Sequence, residues 1–71
     1  MKKRSVRIRG HATSVSLEEP FWAELKRMAG EAGLPLAALI ETIDERRRTA
    51  NLSSALRLAV LDDLRRRARD G

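Results

Sequence analysis

The sequence predicts a mainly α chain with one short β-strand, completed by a second copy of itself. Three observations predict this. At 71 residues the chain holds one domain, and so small a domain builds only a marginal core alone. It has no cysteine, so no disulfide or thiolate metal site can staple it, and oligomerisation is the remaining remedy. The hydrophobic period also changes once, from two residues near the start to 3.6 afterwards.

Residues 1–10, MKKRSVRIRG, form a basic arm or an extra strand, with Val6 and Ile8 on one face and Arg7 and Arg9 on the other. The ribbon strand is expected at 12–17. There Thr13, Val15 and Leu17 share one face, and Ala12, Ser14 and Ser16 share the other. Two geometries satisfy this alternation. Gly10-His11 can make a tight turn within the chain, placing Val6 opposite Val15 and Arg7 opposite Ser14. Alternatively, 12–17 pairs with the same strand of a second chain. An isolated two-stranded ribbon is weak in water, so either version must rest on helices.

Helix 1 is expected at 18–33. Pro20 suits a first helical turn, and Glu18 and Glu19 complement the positive helix end. Phe21, Leu25, Met28 and Ala32 make the stripe, widened by Trp22 and Ala29. Gly33, Leu34 and Pro35 make the stop. Helix 2 is expected at 35–47, with Leu36, Leu39, Ile40 and Ile43 on one side and Glu41, Asp44 and Glu45 on the other. After the link RRRTAN, helix 3 is expected at 51–69, capped by Asn51 or Ser53. Leu52, Leu56, Val60 and Leu64 form its stripe with Ala55 and Ala59, while Leu58 and Leu61 lie outside it. A helix apolar on two sides suits packing on its own chain and on a partner.

Charge is blocked along the chain. Residues 1–17 carry five cations and no acid, 18–45 two cations and seven acids, and 46–71 eight arginines and three aspartates. Basic ends attract nucleic acid or anionic membrane. No stretch is long and apolar enough for a transmembrane helix, and the N-terminus lacks the apolar core of a signal peptide, so a cytoplasmic protein is expected. A basic amphipathic helix at 47–67 could lie on a membrane, but Asp62 and Asp63 in its middle oppose that.

Enzymatic readings fail on inventory. The chain has one histidine, no cysteine, no tyrosine and no glycine-rich phosphate loop. His11 has no acid near it in sequence to orient it. Glu18-Glu19 and Asp62-Asp63 are adjacent, so on a helix their side chains diverge. No catalytic residue, metal or cofactor is therefore expected.

Nucleic-acid binding is better supplied. The major groove admits a two-stranded ribbon, whose outward side chains reach base edges. Ser14 and Ser16 fit an outward face backed by Val15 and Leu17. Arg7 and Arg9 add base or phosphate contacts, Lys2, Lys3 and Arg4 a phosphate arm, and His11 a further phosphate contact. The start of helix 2, at Leu36 and Ala37, offers free backbone amides to a phosphate.

The order strand, helix, glycine stop, helix in SVSLEEPFWAELKRMAGEAGLPLAALIETI resembles the ribbon-helix-helix family of bacterial DNA-binding proteins. GHATSVSLE, FW, LIETID and NLSSALR together resemble a small subgroup with an added C-terminal helix. The resemblance implies an obligate homodimer, with an antiparallel ribbon made from two chains. It implies base contacts at Ala12, Ser14 and Ser16 and a phosphate contact at Leu36 and Ala37. It also implies a shared core, here from Val15, Leu17, Phe21, Leu25, Leu39, Ile40, Ile43, Leu56 and Val60. The implied function is sequence-specific double-stranded DNA binding by a homodimeric ribbon inserted in the major groove, in a transcriptional regulator. The alternative is a dimer kept as a protein-interaction module or antitoxin, with helix 3 as its docking element. Two positions depart from the family pattern. Ala12 cannot hydrogen-bond a base, and Pro35-Leu36 replaces the usual Ser or Thr cap.

Overall fold

The computed structural model describes residues 1–47 and 51–70. Residues 48–50 of the RRRTAN link and Gly71 lie outside the described residues. The chain order is β1 (Lys2–Ile8), β2 (His11–Leu17), α1 (Glu19–Ala32), α2 (Leu36–Arg46) and α3 (Leu52–Asp70).

The two strands pair antiparallel within one chain, from Lys2 opposite Leu17 to Ile8 opposite His11. This corrects the Gly10-His11 turn. The loop is Arg9-Gly10, and both residues have positive φ, 52° and 82°. That is the type I′ pattern, whose twist matches the flanking strands and which favours glycine second in the loop. The pairing therefore slips by two residues: Val6 faces Thr13 and Arg7 faces Ala12. A slip of two preserves the faces, where a slip of one would have exchanged them. The expected ribbon of two chains also meets a strand already paired on one side. Each strand of this two-stranded sheet keeps one unpaired edge.

The helices lie under the hairpin, with β1 against α2, β2 against α3, and α1 against both other helices. Pro20 sits in the first turn of α1. At its end Gly33 takes φ 70°, its amide reaches the Gly30 carbonyl, and the Leu34 amide reaches that of Ala29 at 2.9 Å. These two bonds make a Schellman stop. Leu34 itself remains 40% exposed. Asn51 caps α3, its Oδ1 accepting from the Ser54 amide at 3.3 Å.

The core joins all five elements. Ile8, Val15, Leu17, Trp22, Leu25, Ile40, Leu56 and Val60 are buried together, with Phe21, Leu39 and Ile43 packed half-buried against them. Leu56 and Val60 of α3 are thus enclosed by their own chain. Leu64, placed on the same stripe, is instead exposed, because the packed part of α3 ends near Val60.

Ion pairs tie α3 to α1. Arg27 donates to Asp63 at 2.7 Å, Glu24 at 2.8 Å and Glu31 at 3.1 Å, and Arg67 bonds both Asp63 and Glu31. At the other end Arg57 Nε donates to Glu18 at 3.0 Å. Glu18 is held below the ordinary carboxyl value of 4.5 by a hydrogen bond from its own backbone and then by Arg57. A depressed carboxyl contributes stability that is present above its unfolded value and lost as pH falls through the folded one. Melting from about pH 6 down to about pH 3 should therefore lower the wild-type Tm more steeply than that of Glu18→Gln. Parallel slopes in the two proteins would remove Glu18 as a cause.

Candidate nucleic-acid interface

Side chains alternate across the hairpin, so one face rests on the helices and the other points to solvent. Thr13, Val15 and Leu17 of β2 face inward. The outward face is made of three cross-strand pairs: Lys3 with Ser16, Ser5 with Ser14, and Arg7 with Ala12. Five of these six residues are exposed, and Ser16 is half-buried. The face carries two cations and no acid. In two of the pairs a long cation on β1, Lys3 or Arg7, stands opposite a small residue on β2.

Among the residues expected at the interface, this arrangement brings together Ala12, Ser14, Ser16, Lys3 and Arg7. It places the other N-terminal cations elsewhere. Lys2 is 3.6 Å from Glu19. Arg4 turns inward, its guanidinium 5.4 Å from the centroid of the Trp22 ring. Trp22, 2% exposed, donates its indole N–H to the Lys2 carbonyl at 2.9 Å. Arg9 leaves the strand at the turn and lies 3.7 Å from both Asp44 and Glu45 near the end of α2. Alternation alone had put Arg9 beside Arg7, and the turn at Arg9-Gly10 removes it. Ser5 was missed, although its parity with Arg7 marks it as outward.

His11 is exposed at the turn end of the hairpin, but it stands opposite Ile8 and shares the parity of Thr13, so it lies on the helix side and not on the outward face. At α2, Pro35 is the extended residue before the helix and makes no side-chain cap. Its missing N–H is therefore no loss, since the uncapped amides begin at Leu36 and Ala37. The acids of the helical layer largely face arginines, as in the pairs of Glu18, Glu24, Glu31 and Asp63. Among the described residues, no group of three or more His, Asp or Glu could hold a metal ion. No described helix is long and apolar enough to cross a membrane.

The hairpin, the glycine-stopped helix and the helix after it all fall within one family match. The ribbon-helix-helix domain family covers residues 1–64. The chain belongs to the ribbon-helix-helix family. No curated protein and no solved structure matches it. In this ribbon-helix-helix protein the match takes in β1, β2, α1, α2 and most of α3.

Proposed function

We propose that this ribbon-helix-helix protein is a cytoplasmic transcriptional regulator that binds double-stranded DNA as a homodimer. The observation that carries the proposal is the outward ribbon face, small, polar and cationic without an acid. The unpaired edge of β2 takes β2 of the second copy, completing an intermolecular ribbon. Two half-buried residues of the core margin, Leu39 and Ile43, are available for a shared core. Ser14 and Ser16 contact base edges. Lys3 and the amides of Leu36 and Ala37 contact phosphates. Lys2, Arg4 and Arg9 hold β1 in place through their contacts within the chain.

A second reading has its own support. On α3, Leu58, Leu61 and Leu64 are 53%, 43% and 43% exposed. That apolar face suits a protein-interaction module or an antitoxin.

Fluorescence anisotropy on mixed-sequence duplex DNA across a salt series, with mass by light scattering, separates the two readings. A DNA-binding dimer should lose log affinity linearly with log salt, by about 0.9 per neutralised phosphate. A dimer that binds no duplex at low salt would leave α3 as the functional surface.

A further inference from the structure

We infer that Arg7, on the flanking strand β1, reads a base, and that it does so in place of Ala12. The inference rests on the proposed binding of DNA through the outward face and adds a specificity residue from outside β2.

Ala12 occupies a base-facing position with no donor or acceptor. The register places Arg7 directly opposite it, with Cβ atoms roughly 4.5–5.5 Å apart as for any facing pair. Ala12 leaves the space above it open, so the Arg7 side chain can lie across the ribbon into the position that alanine leaves empty. The other cations of the N-terminal segment are differently occupied. Lys2 faces Glu19, Arg4 lies over Trp22, and Arg9 is shared between Asp44 and Glu45. Lys3 and Arg7 are the two that remain on the outward face, and among the described residues neither has an ion pair.

Strand spacing decides what each can do. Neighbouring strands lie about 4.8 Å apart, so β1 strands flanking a β2 pair stand about 14 Å apart, against a major groove about 12 Å wide. β1 therefore rides at the groove rim, and only a long side chain leaning over a small neighbour enters. Arg7 over Ala12 meets that condition, and its planar fork matches the N7 and O6 acceptors of guanine. Lys3 stands opposite Ser16, itself polar, and as a compact point charge it suits the phosphates at the rim.

The test is selection of bound duplexes from a randomised pool, followed by anisotropy on single-base variants of the best site. Wild type, Arg7→Ala, Arg7→Lys and Lys3→Ala are compared, all as the full chain with circular dichroism checked. Wild type should prefer guanine at one position per half-site by roughly 5- to 150-fold. Arg7→Ala should lose that preference and keep the others. Arg7→Lys should keep the affinity for duplexes that lack that guanine and narrow the preference, since it keeps the charge without the planar fork. Lys3→Ala should weaken every duplex alike. A guanine preference that survives in Arg7→Ala would overturn the inference, as would a wild type that binds all duplexes equally, and both would leave DNA binding standing. A wild type that binds no duplex would overturn the inference together with the DNA-binding proposal.

Discussion

Leu56→Asp is expected to abolish the folded chain. Leu56 is fully buried in the five-element core. Removing a buried leucine side chain alone costs about 2–5 kcal/mol. The carboxylate adds a further cost, because no partner is within the core to compensate an ionised group. A domain of this length has roughly 4–11 kcal/mol in total. Far-UV circular dichroism at 25 °C should show lost helix, and a thermal scan should show no cooperative transition. A cooperatively melting Leu56→Asp protein would mean that α3 docks loosely and that the ribbon and first two helices hold without it. Leu61→Asp, on the exposed side of the same helix, is the control that should melt close to wild type.

Ser14→Glu is the matching change on the other side of the hairpin. Ser14 is exposed on the outward face opposite Ser5, so the substitution leaves the core alone. It puts an anion at the centre of the face proposed to meet DNA, where like charges cost several kcal/mol. Duplex affinity should fall by about 100-fold or more, with the deficit shrinking as salt screens it. The dichroism spectrum and Tm should hardly change. Undiminished affinity in a well-folded Ser14→Glu protein would place DNA, if bound at all, on another surface.

These two sites also mark how far the sequence could be read. The apolar stripes of the helices were legible because burial repeats every 3.6 residues, and Leu25, Ile40, Leu56 and Val60 all lie in the core. The faces of the ribbon were legible because parity survives a register error of two. The register itself was not. Gly10 announces a turn but not whether it stands first or second in the loop, and that choice depends on whether a residue such as Arg9 accepts a left-handed backbone. Nor was the distribution of the N-terminal cations legible. Five basic residues in one segment read as a single electrostatic feature. Parity separates outward Lys3 and Arg7 from inward Arg4 once the strand is carried back to Lys2, but partners 15 or more residues away, such as Trp22 and Asp44, are what occupy Arg4 and Arg9, and alternation cannot name them.

The Arg9-Gly10 turn has a thermodynamic consequence. Holding a non-glycine residue at φ 52° costs on the order of 1–2 kcal/mol, and Asp44 and Glu45 meet the Arg9 side chain at that point. At the opposite end Trp22 grips the Lys2 carbonyl. The basic strand is thus anchored at both ends before any encounter with a polyanion. A loose cationic tail would surrender chain entropy on docking, at about 1–2 kcal/mol per ordered residue. This hairpin has surrendered it already. Complex formation should then resemble two preformed bodies meeting, with a heat-capacity change set by the contact area alone and without the large negative increment of a segment that folds as it binds.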